Sequence, residues 1–115
     1  MSQNEREVEN VLETILRAKS LDYRREKVSI EYSSKSFVPD FTFDSLDLAL
    51  ETKLCKSAAK EKALIDEINA DILAYKTCYN RIVFVIYDLG CIRDEGRFRS
   101  GIEGNPGVYV LIIKK

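Results

Sequence analysis

Pro39-Asp40 closes the run Ser36-Phe37-Val38-Pro39-Asp40-Phe41, and Leu50-Glu51-Thr52-Lys53-Leu54 follows shortly after. Two carboxylates and one ammonium in that order suit metal-assisted cleavage of a phosphodiester. Carboxylate oxygens hold a hard divalent cation, and the cation polarises a phosphoryl oxygen and activates water. A lysine beside them orients that water or offsets the charge growing on the phosphate. Asp40, Glu51 and Lys53 are therefore candidate catalytic residues of a nuclease.

Those residues need strands to position them. Phe37, Pro39, Phe41 and Phe43 alternate with Val38, Asp40, Thr42 and Asp44, and Leu48, Leu50 and Leu54 alternate with Asp47, Ala49, Glu51 and Lys53. Period-two alternation marks half-buried strands. A four-residue turn, Asp44-Ser45-Leu46-Asp47, would align Phe43 with Leu48 and Phe41 with Leu50. The same register sets Asp40 opposite Glu51, on the face that carries Lys53. Cross-strand β-carbons lie about 4.5–5.5 Å apart, close enough to share a metal ion, and like charges facing each other otherwise destabilise a hairpin. The plain alternative is a pair of solvated acids on an ordinary hairpin, because Glu-X-Lys triplets are common by chance. Agreement of the Pro-Asp step, the apolar flanks and the register favours the nuclease.

Composition narrows the chemistry further. The 115 residues suit one domain, 1–115, with a real core but little room for a separate target-recognition region. Histidine is absent, which excludes His metal ligands, His general bases and Ser-His or Cys-His triads. No apolar run is long enough to span a membrane, and the N-terminus is polar and acidic, unlike a signal or transit peptide. Cys55, Cys78 and Cys91 lack metal-ligand spacing, so free thiols in a reducing cytoplasm are expected.

The net charge of −1 is low for a nucleic-acid binder. Local clusters supply candidate phosphate contacts: Lys56 and Lys60 beside Lys53 and Lys62, and Arg97 and Arg99 beside Arg93. Read singly, each is an ordinary solvated charge. Weak intrinsic affinity is expected, helped by dimerisation or a partner domain.

Along the chain, Ser2 with Glu5 reads as a capping box. Val8, Val11, Leu12, Ile15 and Leu16 continue as an amphipathic stripe to about Ser20. Val28, Ile30 and Tyr32 alternate as a first strand, which Ser33-Ser34-Lys35-Ser36 would turn into the Asp40 strand. Ser57 is placed to cap a second helix carrying Ile65, Ile68, Ile72, Tyr75 and Tyr79, with Asn80 as its stop. Ile82 to Tyr87 is an unbroken apolar run, as in a strand covered on both faces. A charged irregular segment from Gly90 to Gly107, with room for a short helical turn, leads to a last strand from Val108 to Ile113. The expected fold is α/β: helix, three antiparallel strands, helix, strand, loop and strand, forming a mixed sheet flanked by helices.

This order and motif resemble the PD-(D/E)XK nuclease superfamily, most closely its DpnII/MboI-like restriction endonuclease domains, over nearly the whole chain. Asn4-Glu5-Arg6-Glu7-Val8-Glu9-Asn10-Val11-Leu12 is similar to that family's acidic helix motif, with Glu9 where the family has glutamine. Arg24-Arg25-Glu26 resembles its charged lead-in to the first strand. Asp71-Ile72 with Tyr75, and Phe84-Val85-Ile86-Tyr87-Asp88, resemble its signatures on the second helix and the following strand. Val38-Pro39-Asp40 departs from the Arg-Ile-Asp of many members but keeps the acid.

The resemblance implies a Mg²⁺- or Mn²⁺-dependent endonuclease acting on DNA, often one module of a larger restriction or phage-defence protein. Asp40 and Glu51 would bind the metal, with the Thr52 carbonyl as a further oxygen ligand. Glu5 and Glu9 lie one turn apart at the edge of the helical stripe, either as additional site acids or as a cap and a solvated edge. Glu13 is expected to face solvent, and Glu31 to share the Asp40 face only if the first hairpin has a four-residue turn. Asp71 and Tyr75 would brace the site or touch substrate, with core packing the simpler role for Tyr75. A homodimer or a fused or partner recognition domain would supply specificity. A structure-selective resolvase-type nuclease and a non-catalytic interaction module on the same fold are the alternatives, and Asp40, Glu51 and Lys53 together argue against the second.

Overall fold

In the computed structural model, which describes residues 4–114, Asn4 caps the first helix, its side chain accepting the Glu7 N–H at 2.9 Å. The capping box expected from Ser2 lies outside the described residues. Helix α1 (Glu5–Ala18) buries Val8, Glu9 and Leu16. Leu16 packs with Leu12 against Phe41, Phe43, Leu48 and Leu50, so α1 covers one face of the sheet.

That sheet has five strands in the order β1 (Arg24–Arg25), β4 (Phe41–Phe43), β5 (Leu48–Cys55), β6 (Arg81–Asp88) and β7 (Val108–Lys114). β1, β4 and β5 run antiparallel, while β5, β6 and β7 are parallel. β4 pairs with β5 as Phe41↔Leu50 and Phe43↔Leu48, the register that the alternation predicts. A 3-10 turn over Asp44–Leu46 joins them, ending at Asp47 in the left-handed region (φ 52°). Asp47 then accepts hydrogen bonds from the backbone and side chain of Asn80, pinning this turn to the start of β6.

Helix α2 (Glu61–Tyr75) links β5 to β6 across the other face. Leu64, Ile68, Ile72 and Tyr75 meet Ala49, Ile82, Phe84 and Ile86 there, with Phe98, Ile102, Val108 and Val110 extending the same core. Gly107 (φ 77°) closes the turn into β7; a β-carbon at that position would sit 2.3 Å from the Asn80 carbonyl oxygen, so only glycine fits.

Three expectations change. The strand at Ile30–Tyr32 (β2) does not join the main sheet; it pairs with Lys35–Phe37 (β3) as a separate two-stranded sheet. The link is a two-residue turn at Ser33 (φ 51°) and Ser34 (φ 60°), the geometry whose twist matches a hairpin, rather than a four-residue one. Pro39 follows β3 and has no N–H to continue a ladder, so β3 and β4 are distinct strands and Arg24–Arg25 takes the edge beside β4. Glu31 consequently pairs with Ser36 and is exposed.

The segment expected to be irregular holds a full helix, α3 (Glu95–Glu103), capped by Asp94 through the Arg97 N–H at 3.1 Å. Parallel β6 and β7 need a crossover, which a helix commonly supplies. Gly96 and Gly101 weaken its intrinsic helical signal, while buried Phe98 and Ile102, one turn apart, hold it to the core.

The third change concerns the cysteines. Cys55 and Cys91 form a disulfide with Cα atoms 5.5 Å apart, leaving Cys78 free and exposed. β5 ends with Cys55 opposite Asp88, whose carboxylate accepts the N–H groups of Gly90, Cys91 and Ile92 and turns the chain back over Cys55. The cysteine count therefore does not speak for a reducing compartment. Among the described residues, no helix is long and apolar enough to cross a membrane.

Candidate active site

The β4–β5 register carries one step past Phe41↔Leu50 and brings Asp40 to Glu51. The Asp40 carboxylate accepts the Thr52 N–H at 2.7 Å and the Thr52 hydroxyl at 2.8 Å, both through Oδ2. The Asp40 N–H donates to Glu51 Oε1 at 3.2 Å, and the Tyr75 hydroxyl donates to the same oxygen at 2.9 Å. Tyr75 is thus both the core residue that the helical stripe predicts and a direct partner of the site.

Lys53 lies on the same face of β5 as Glu51, two residues on. Its Nζ is 3.6 Å from Glu51 Oε2, 2.9 Å from Asp71 Oδ2 and 3.2 Å from Glu67 Oε1. Asp71 and Glu67 sit on adjacent turns of α2, so this helix grips the ammonium from one side.

On the other side, the carboxylates of Glu9, Glu26 and Asp40 each offer an oxygen within 4.8 Å of the others. Glu26 is absent from the sequence-derived candidates. It enters because its own backbone is left-handed (φ 51°) and its N–H donates to the Asp40 carbonyl at 3.0 Å. Arg25 beside it pairs with Glu9 at 3.3 Å and Glu13 at 2.7 Å, turning the Glu26 end of β1 toward α1. No local pattern marks a glutamate for such a bend. Glu13, expected in solvent, is instead occupied by Arg25 and by the Tyr23 hydroxyl.

Glu5 does not join these acids; its carboxylate accepts the Leu54 N–H at 3.0 Å and ties the start of α1 to β5. Lys56 and Lys60 line a cavity with Glu5, Leu54, Leu64 and Glu67, next to Lys53. Arg97 lines a separate depression with Glu61, Ile65 and Arg93, on a different face of α2, and Arg99 pairs with Glu95 at 3.8 Å.

The electrostatics are those of crowded acid. Burial, against the Thr52 hydrogen bonds, pushes the Asp40 carboxyl above its ordinary range. Burial, then the Asp40 charge, then Glu26 raise Glu9 to about 7. Burial and Asp40 raise Glu51 to about 8. For Lys53, burial alone would favour the neutral amine, but Asp71, Glu51 and Glu67 outweigh it and hold the ammonium protonated.

These shifts predict a pH slope. A carboxyl whose pKa is raised by folding binds its proton more tightly in the native state, so its stabilising effect is complete below the unfolded value and lost as pH rises. In EDTA, the melting temperature should fall as pH climbs from about 4.5 toward about 8, the interval spanned by Glu9 and Glu51. A divalent cation should flatten the slope. A melting temperature that rises across this interval in EDTA would contradict the crowding.

A family model for DpnII-MboI restriction endonucleases, REase_DpnII-MboI, matches residues 2–115. No curated protein and no solved structure matches the chain.

Proposed function

Because this chain belongs to the DpnII-MboI restriction endonuclease family, we propose that it is a divalent-metal-dependent endonuclease hydrolysing phosphodiester bonds in DNA. Its setting would be restriction or phage defence, with residues 1–115 forming one nuclease domain, either alone or as a module of a larger protein. The observation that carries this reading is the facing pair Asp40 and Glu51, held by hydrogen bonds, with the Lys53 ammonium ion-paired to Glu51 at 3.6 Å.

The residues fit a hard cation. Their donors are carboxylate oxygens, the ligands that Mg²⁺ prefers. Burial first, and neighbouring carboxylates after it, raise the pKa values of Asp40, Glu9 and Glu51, so a cation placed among them would favour their charged forms. Asp40 and Glu51, with the Thr52 carbonyl, would hold one ion, and Glu9 and Glu26 would hold a second against Asp40. Bound Mg²⁺ or Mn²⁺ would supply Lewis-acid stabilisation of the phosphoryl oxygen and a lower pKa for the attacking water.

The side chains of the chain itself do the positioning. Thr52 fixes the Asp40 carboxylate, and the Tyr75 hydroxyl orients Glu51. Lys53 stays an ammonium, so its part is to offset charge growing on the phosphate and to orient water, not to remove a proton.

The test is cleavage of plasmid, linear duplex and single-stranded DNA in Mg²⁺, Mn²⁺ or EDTA. Products in either metal but not in EDTA are expected. Absence of products from every DNA substrate, with metal binding seen by calorimetry, would sink the reading.

A further inference from the structure

Two cavities flank the Lys53 ammonium and share one residue. The first, about 260 Å³, lies between the β2–β3 hairpin and α2; Lys35, Phe37, Glu51, Lys53, Glu67 and Tyr75 are among its walls. The second, about 230 Å³, lies at the end of β5 and includes Glu5, Leu54, Lys56, Lys60 and Glu67. Glu67 belongs to both. Its side chain is 62% exposed, and its carboxylate reaches Lys53 Nζ at 3.2 Å. The two cavities therefore adjoin at Glu67, beside Lys53, and together outline a cleft past the ammonium.

Charge is distributed unevenly along it. Arg24, Arg25 and Arg99 are ion-paired to Asp44, Glu9 with Glu13, and Glu95 respectively. Lys35, Lys56 and Lys60 are exposed, and none of them has an ion-pair partner among the described residues. Ammonium groups without an ion-pair partner among the described residues thus stand at both ends of the cleft, with the acids between them. A polyanion can lie over a row of carboxylates only if its neighbouring charges are held on either side.

The hairpin is built to serve as one of those sides. It stands outside the main sheet, and Phe37 anchors it edge-on against Tyr75, with ring centroids 6.4 Å apart, beside Glu51. Lys35 Nζ lies 5.3 Å from the Phe37 ring centroid, a cation–π contact that steadies the ammonium at the rim.

We propose that one DNA strand runs the length of this cleft. Lys35 of the β2–β3 hairpin grips its phosphates on one side of the scissile bond, and Lys56 and Lys60 grip them on the other. Glu67 occupies the crossing point on Lys53 until the reacting phosphate displaces it. The hairpin is then a substrate-binding arm. The inference rests on the nuclease reading above and adds Lys35 and Glu67 to it.

The experiment measures binding of a fluorescein-labelled duplex oligonucleotide by anisotropy in EDTA, across a salt series, with the full chain. Lys35→Ala and the pair Lys56→Ala with Lys60→Ala should each weaken binding and lower the log–log salt slope by about 0.9 per lost contact. Lys19→Ala, at the far end of α1, makes the same change in net charge as Lys35→Ala and is its control; for the Lys56, Lys60 pair the control is Lys19→Ala with Lys76→Ala. Glu67→Gln should tighten binding, since it removes a carboxylate from the strand's path. Lys35→Gln serves if Lys35→Ala lowers the melting temperature. A protein that cleaves DNA yet whose Lys35 variants bind no more weakly than Lys19→Ala would overturn the strand path while leaving the nuclease reading intact. A wild type that neither cleaves nor binds would overturn both.

Discussion

Asp40→Asn and Glu51→Gln should each abolish metal-dependent cleavage while raising the melting temperature of the metal-free protein. Each change replaces a carboxyl whose charged form is disfavoured by burial, so the gain in stability should grow as pH rises toward and past the raised values, about 8 for Glu51 and about 7 for the neighbouring Glu9. The amides keep the acceptors that matter. Asn at position 40 can still accept the Thr52 N–H and hydroxyl, and Gln at 51 can still accept from Tyr75. Alanine is the poorer probe at 40. It would strand the N–H of Thr52, which is fully buried, and an unsatisfied buried donor costs about 1–3 kcal/mol.

Loss of a metal ligand should lower turnover by ~10³-fold or more, since Lewis-acid stabilisation contributes several kcal/mol and each ~1.4 kcal/mol is a factor of ten. A gain of about 1 kcal/mol in stability would appear as a rise of roughly 4 °C in a domain of this size. Melting curves with and without Mg²⁺ or Mn²⁺ check the second half. If the metal-dependent shift survives in full in both variants, these carboxylates do not hold the ion.

Lys53→Ala should lower turnover by ~10²–10³-fold, the usual cost of one positioned electrostatic group. Metal affinity should hold or rise, because a nearby positive charge has gone. The structure adds a large stability effect. Lys53 is buried among Glu51, Asp71 and Glu67, and removing one partner of a buried pair leaves uncompensated charge, at about 3–5 kcal/mol. Combining Lys53→Met with Asp71→Asn should recover much of that stability without restoring cleavage, which separates the two roles. Lys53→Arg should not rescue turnover fully, since a planar fork cannot replace a compact ammonium. Near-wild-type turnover in Lys53→Ala, measured on the folded fraction, would refute the assigned role.

The strand pair that holds Asp40, Glu51 and Lys53 was legible in the order of residues alone. Period-two alternation around Asp40 and Glu51 fixes which side chains share a face, and a slip by one residue would have sent Phe41, Phe43, Leu48 and Leu50 to the wrong side. The observed register is the predicted one, so Asp40, Glu51 and Lys53 were legible as a group. So were α1, α2, β6 and β7, from their apolar stripes and runs, although Val11 and Ile15 of α1 and Tyr109, Leu111 and Ile113 of β7 stay exposed.

Contacts between residues distant in the chain were not legible in this way. Glu26 reaches Asp40 only because a left-handed residue follows a two-residue edge strand. Asp71 meets Lys53 only because α2 crosses back over β5. The Cys55–Cys91 bond depends on the Asp88-capped turn, and the hairpin stands apart because Pro39 interrupts the strand before Asp40. Local periodicity records the face on which a residue lies. It carries no record of which long-range neighbour that face will meet, and packing of whole elements settles that choice.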